Sequence, residues 1–423
     1  MAYQRRILDS ELDHLLRSLP ALAIEGPKGV GKTETASRRA ATIRKLDEAD
    51  SLELAHADPR RLLQAETPVL IDEWQLLPEI WDLVRRAVDL GAAPASYLLT
   101  GSTSPDGRGR HSGAGRIPVI RMRPLTLVER WDSQGTVSLA ELLAGKLPPL
   151  QGSTAVTLED YVDEILASGF PGLRGLDGRA LRLQLDSYAD RIVDRDFPEL
   201  GYQVRNPGAL RRWMTAYAAA TATTTSFDKI RAAAGSDEVA TPSKGSAQPY
   251  RNILERLWVL DPVPAWRPTR NHLSRLAAGP KHHLTDPGLA ARLLGATRSA
   301  LLDNQPLGPP IPRDGTLLGA LFESLVTLCV RVYAQSAEAT VEHLRTYSGD
   351  REVDLIVEDQ AKRIVAVEVK LKRTIRDEDV QHLHWLKETI GDEMADAIVV
   401  NTGESAYRRS DGIGVVPAAL LGP

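Results

Sequence analysis

An α/β fold is predicted: a parallel-sheet domain first, a helical region next, and a second α/β unit at the end. Three observations predict it. As far as about Arg130, short apolar runs alternate with helix-compatible stretches, the pattern of parallel strands covered by helices. A complete G-x-x-x-x-G-K-[ST] pattern lies between one such run, Leu22-Ala23-Ile24, and a helix-forming stretch from Glu34 to Arg44. From about Leu158 to Ala300 Leu, Ile and Ala recur at three- and four-residue spacing, and strand alternation returns after a proline-rich joint.

The strands expected in the first domain, residues 1–130, are Ala21–Glu25, Val69–Ile71, Tyr97–Thr100 and Ile117–Met122. The first leads into Gly26, Pro27, Lys28, Gly29, Val30, Gly31, Lys32 and Thr33. Glycines there let successive backbone N–H groups surround a polyphosphate, and the helix that follows adds favourable dipole charge. Lys32 would reach the β- and γ-phosphates of a nucleotide, and Thr33 would offer its hydroxyl to Mg²⁺. Pro68-Val69-Leu70-Ile71 then ends in an acidic pair, Asp72 and Glu73. Asp72 is expected to hold Mg²⁺ directly or through water, and Glu73 to orient or deprotonate the attacking water.

Leu98-Leu99-Thr100-Gly101-Ser102 ends a further buried strand in hydroxyls, so Thr100 is placed where it can sense the γ-phosphate or align water. The loop Gly101–Gly115 is crowded with Ser, Gly and Arg, and Arg108, Arg110 and Arg116 follow in order. Arg116, beside a strand, is the arginine selected to meet transition-state charge. It would act within the subunit or, in a homo-oligomer, on a neighbour's nucleotide; solvated loop charges are the alternative.

Residues 131–302 are expected to be helical with a winged-helix element. Ser226–Ala234 and Tyr250–Leu260 read as its helices, Val263–Trp266 and His282–Leu284 as its wing, and Lys244 and Arg251 as candidates to face a phosphate backbone. A lid or scaffold is the competing reading, because the basic residues are few. Residues 303–314 form the joint DNQPLGPPIPRD. In residues 315–423 an amphipathic helix from Gly315 to Tyr333 precedes strands at Glu342–Tyr347, Glu352–Glu358 and Arg363–Lys370, a helix near Asp377–Thr389 and a strand at Ala397–Asn401. Strand alternation puts Glu352 and Asp354 on one face, and Glu368 and Lys370 on one face of the next strand. If those strands are neighbours, Asp354 and Glu368 form a second candidate metal site, with Lys370 to position or activate water and Glu323 as a third carboxylate. An exposed strand face with an ion pair is the alternative.

The chain of 423 residues has a formal net charge of −4, so no global basic field draws it to nucleic acid or membrane. A single cysteine, Cys329, excludes an internal disulfide. The N-terminus lacks a signal-like apolar segment, and no stretch is expected to reach the roughly 18 apolar residues that span a bilayer. A cytoplasmic protein is expected.

Taken in order, these residues resemble the prokaryotic AAA-type ATPases that carry a C-terminal domain of unknown function ending in a restriction-endonuclease-like module. Gly26–Thr33, Leu70–Trp74, Leu99–Ser102 and Gly115-Arg116 carry the N-terminal part of the likeness. Ser168-Gly169-Phe170-Pro171, Tyr188–Asp196, Tyr250–Leu260 and Lys281–Leu289 (KHHLTDPGL) carry the middle, and Gly319–Glu323, Tyr347–Asp354 and Val367–Lys370 the end. The resemblance implies ATP binding and hydrolysis, a winged-helix element and a nuclease-fold terminus. Two separate phosphate-chemistry constellations on one chain lead us to expect a Mg²⁺-dependent ATPase acting on DNA or RNA; a nucleotide-controlled switch that docks DNA or a protein partner, and an ATP-gated nuclease, are the alternatives. Lys28 stands where such loops more often carry Arg, and the proline of the endonuclease pattern is absent before Asp354, where Glu352-Val353 stand instead.

Overall fold

The structure is a computed structural model that describes residues 3–103, 115–145, 147–235, 240–266, 279–312, 315–347 and 349–423. It divides into two compact units, one of residues 1–124, 170–172 and 254–259, the other of residues 125–169, 173–253 and 260–423. Arg108 and Arg110 lie outside the described residues.

The first unit is built on strands β1 (Ala21–Glu25), β2 (Thr42–Lys45), β3 (Val69–Asp72), β4 (Tyr97–Gly101) and β5 (Val119–Arg121), all parallel, in the order β2-β3-β4-β1-β5. β1 is paired on both sides, by β4 and β5, and all five of its residues are buried. This is why its sequence is a continuous apolar run up to Glu25 rather than an alternating one. Ala21, Ala23, Val69, Ile71 and Leu99 share one face and pack with Trp74, Ile80, Trp81 and Val84, from the turn after β3 and from the helix Glu79–Asp89. Helix α1 spans Leu8–Leu15, α2 Lys32–Ser37, α3 Ala49–Ala57 and α4 Glu79–Asp89.

The stretch Glu34–Arg44, expected to be one helix, is shorter. α2 stops at Ser37, and Thr42–Lys45 extends to pair with Val69–Asp72, with Thr42 opposite Val69 and Lys45 opposite Asp72. Ladder bonds available at the open side of β3 outweigh the weak helical preference of Thr42-Ile43.

In the second unit β6 (Val137–Ser138) pairs with β14 (Leu421–Gly422). The larger sheet has the order β12-β13-β11-β10-β9-β8-β7, where β7 is Ala265–Trp266, β8 Thr340–Arg345, β9 Glu352–Glu358, β10 Ile364–Lys370, β11 Met394–Asn401, β12 Tyr407–Arg408 and β13 Gly414–Pro417. β9 and β10 are antiparallel neighbours, with Leu355 opposite Val367. The helix Leu317–Ser336 is buried over most of its circumference rather than amphipathic, and it is long and apolar enough to cross a membrane by length and composition. That corrects the expectation that no stretch reaches this length; within this fold it is a core helix, with Leu321, Phe322, Leu325, Val330 and Tyr333 fully buried.

Helices at Phe227–Ala233 and Lys244–Arg256 occupy the places expected for the winged-helix pair, the second beginning and ending earlier than expected. The two expected wing segments do meet, through antiparallel bridges Leu260 to Leu284 and Val263 to Lys281. They do not form a free wing, because Ala265-Trp266 continues as β7 and pairs with His343-Leu344 of the C-terminal sheet. Lys244 lies 3.3 Å from Asp228, and the Arg251 guanidinium lies 4.6 Å from the centre of the Phe227 ring. Both candidate phosphate contacts are thus engaged within the unit itself.

Candidate functional site

The loop from Gly26 to Thr33 leaves the C-terminal end of β1 and enters α2. A Cβ on Gly26 would lie 2.2 Å from the Met122 carbonyl oxygen, so no larger residue fits between β1 and the chain after β5. Gly31, at φ 101°, takes the left-handed conformation that turns the loop into the helix. Lys32 is 5% exposed, and its Nζ donates to the carbonyl oxygens of Gly26 at 2.8 Å and Pro27 at 2.9 Å. Burial lowers its ammonium to about 8, against the pull of Glu73 and Asp72.

Parallel β1, β3 and β4 bring the other expected residues to the same edge of the sheet. Thr33 Oγ1 donates to both carboxylate oxygens of Asp72, at 2.8 and 3.0 Å, and Thr100 Oγ1 also donates to Asp72. Burial raises the Asp72 carboxyl above its ordinary value, opposed by these two hydroxyls. An oxygen-only pair of a hydroxyl and a carboxylate suits a hard divalent cation, so Thr33 and Asp72 fit Mg²⁺. Glu73 stands at φ 54°, a conformation uncommon outside glycine, and its Oε2 accepts from Ser102 Oγ at 2.8 Å and from Gln75 Nε2. The acid expected to act on water is therefore held by two neutral donors beside the loop.

Arg116 is not brought to this edge, which corrects its assignment within the subunit. It precedes β5, whose N-terminal end, like that of parallel β1, lies at the opposite edge from the loop. Its Nε donates to Asp89 Oδ1 at 2.8 Å, at the end of α4, and its side chain is 48% exposed. Two other charged groups end strands at this edge. Glu25, the last residue of β1, is buried, and Arg121 ends β5 beside it in register. Burial raises the Glu25 carboxyl to about 7, with Lys32 and Arg121 opposing. Its place as the terminal residue of a buried run before the loop was the signal for Glu25; no pattern marked Arg121.

In the second unit the antiparallel pairing of β9 and β10 brings Asp354 and Glu368 together as expected, and Glu323 of the long helix joins them. The residue at their centre was not expected. Lys281 Nζ lies 2.9 Å from each of Glu323 Oε1, Glu352 Oε1 and Asp354 Oδ1. Lys370 Nζ donates to Glu368 Oε2 at 2.7 Å, and the Val369 N–H donates to Asp354 Oδ2 at 2.9 Å. Burial opposes the charge on Lys281, but Asp354, Glu323 and Glu352 together hold it firmly protonated. Lys281 and Lys370 overcome burial to hold Asp354 down at about 2, whereas burial and then Asp354 raise Glu323 to about 8. Burial and Asp354 also push Glu368 well above the usual range. Among the described residues no group of three His, Cys, Asp or Glu side chains is placed to hold a metal ion. The second metal site expected at Asp354 and Glu368 is accordingly found with lysine amines on its carboxylates. Lys281 sits 73 residues from Asp354 and 42 from Glu323, and no spacing pattern pointed to it.

Comparison with known proteins divides the chain in three. Residues 18–130 match an AAA domain, residues 158–300 a domain of unknown function (DUF8612), and residues 318–421 a domain of unknown function (DUF4143). Uncharacterized proteins of Mycobacterium bovis and Mycobacterium tuberculosis are each 27% identical over 427 residues, covering 99% of this chain and 84% of theirs. A solved structure, a Walker-type ATPase of Pyrococcus abyssi, aligns with a TM-score of 0.41 and 16% identity, covering 69% of this chain and 96% of that one. Over residues 18–130 the chain is thus similar to AAA domains, and over most of the rest to domains that carry no assigned function.

Proposed function

We propose that this protein is a Mg²⁺-dependent ATPase whose nucleotide cycle controls its C-terminal half. The observation that supports this best is the convergence of Lys32, Thr33, Asp72, Glu73 and Thr100, carried at or just after the C-terminal ends of three parallel strands, at one sheet edge. The loop N–H groups and Lys32 would bind the phosphates, and Thr33 with Asp72 would hold Mg²⁺, which when bound neutralises charge on the β- and γ-phosphates. Ser102 and Gln75 both donate to Glu73 Oε2, so Oε1 would take the proton of the attacking water. Thr100 steadies Asp72 from the neighbouring strand.

For the C-terminal half, docking of nucleic acid or a protein by a catalytically silent module is favoured over cutting. The lysine amines seated on its carboxylates support that choice. ATP binding and hydrolysis, measured together with cutting of DNA and RNA, test both readings. Lys32→Ala should abolish turnover, and Glu73→Gln should retain bound ATP. Full turnover by Lys32→Ala would overturn the assignment of hydrolysis to this loop, and rapid ADP formation by Glu73→Gln would overturn Glu73 as the base. Metal-dependent cutting that disappears in Lys370→Ala would overturn the silent module.

A further inference from the structure

Lys281 lies on the extended segment that bridges Val263, and it is 1% exposed. An ammonium has three N–H donors; this one donates to Glu323 Oε1 and Asp354 Oδ1 and forms an ion pair with Glu352 Oε1, each at 2.9 Å. These acids come from separate elements: Glu323 from the long helix, Glu352 and Asp354 from β9. Other groups of the chain meet the remaining oxygens of two of them, with Arg345 Nη1 2.9 Å from Glu352 Oε2 and the Val369 N–H on Asp354 Oδ2. Beside them Glu368 is 3% exposed, and its Oε1 has no hydrogen-bond partner. Several carboxylates converge on one point, as around a hard divalent cation, but at the 2.9 Å of an ammonium contact rather than the ~2.0–2.6 Å of a metal bond. That point is filled by an amine.

We infer that Lys281 is this fold's own cation: its ammonium occupies the position at which Glu323, Glu352 and Asp354 would otherwise hold Mg²⁺ or Mn²⁺, and so closes the cluster to divalent metal. A divalent ion entering beside Lys281 would meet like charge at contact distance in surroundings that screen poorly. A divalent ion replacing it would have to expel a buried lysine from three partners at once. The same contacts tie the segment carrying Lys281 to both the helix and the sheet. The carboxylates thus serve as an anchor, and the latent site is one for a divalent cation. This inference does not depend on what the phosphate loop does.

Mn²⁺ titration of the nucleotide-free full chain, with free Mn²⁺ counted by its electron paramagnetic resonance signal, tests it. Wild type, Lys281→Ala and the double variant Lys281→Ala with Asp354→Asn are compared. Lys281→Ala should gain one equivalent of Mn²⁺ bound roughly tenfold or more tighter than any at this cluster in wild type, and the double variant should lose it. A folded Lys281→Ala that gains none would overturn the inference. If Lys281→Ala does not fold, wild type and Glu323→Gln decide the matter: identical isotherms uphold it, and an equivalent present in wild type but lost in Glu323→Gln refutes it.

Discussion

Replacing Glu25 by Gln should remove a specific part of the pH dependence of stability in the first unit. Glu25 ends β1 one residue before the phosphate loop, 2% exposed, with Oε1 unpartnered. Burial raises its carboxyl from 4.5 to about 7. Between those values the folded chain keeps a proton that the unfolded chain has released. Stability from this group is therefore complete below the unfolded value and is lost as pH rises through about 7. A gap of about 2.5 units, at about 1.4 kcal/mol each, is worth about 3 kcal/mol, of which about 2 to 3 falls between pH 5 and 8. Gln keeps the shape and cannot ionise, so Glu25→Gln should gain that amount on wild type across this range. Hydrogen exchange of β1 and β4 amides, corrected for intrinsic rates, reads the opening free energy of this unit without requiring both units to unfold together. The raised carboxyls of Glu323 and Glu368 push in the same direction but cancel in the difference. Lys32, lowered to about 8, acts with the opposite sign above that pH, which sets the upper limit of the window. A wild-type-to-variant difference that stays flat from pH 5 to 8 would refute the assignment of a buried, unsatisfied Glu25.

Two further outcomes follow from the same edge of the sheet. Arg116→Ala should leave ATP turnover within about twofold of wild type, because its guanidinium meets Asp89 at the opposite edge; a loss of the order of 10³-fold, as for an arginine finger, would show that it reaches a nucleotide in an assembly. Ser102→Ala removes one of the two donors that hold Glu73 and should raise basal turnover by up to about tenfold, the equivalent of one hydrogen bond. A fall in turnover would instead mean that Ser102 itself serves the nucleotide.

The legible parts of this protein are those whose determinants lie side by side in the chain. Gly26–Thr33 sets its own shape through glycine torsions, and the apolar runs before it and before Asp72 announce strands buried on both faces. The alternation in Glu352–Glu358 and Val367–Lys370 announced which residues share a face, and the antiparallel pairing of β9 and β10 then brought Asp354 and Glu368 together. Legibility failed where a free sheet edge decided the conformation, as at Thr42–Lys45, and where an element's direction decided a side chain's place, as for Arg116 before β5.

By itself the sequence determined the phosphate loop, the acidic strand end and the set of carboxylates in the last third. Only the tertiary structure decided what those carboxylates face. Lys281 reaches them from a distant segment through the bridge to Val263 and the continuation of that ribbon into β7. Local torsion and polarity patterns are written in neighbouring residues, whereas the partner of a buried charge depends on register and packing across the whole fold.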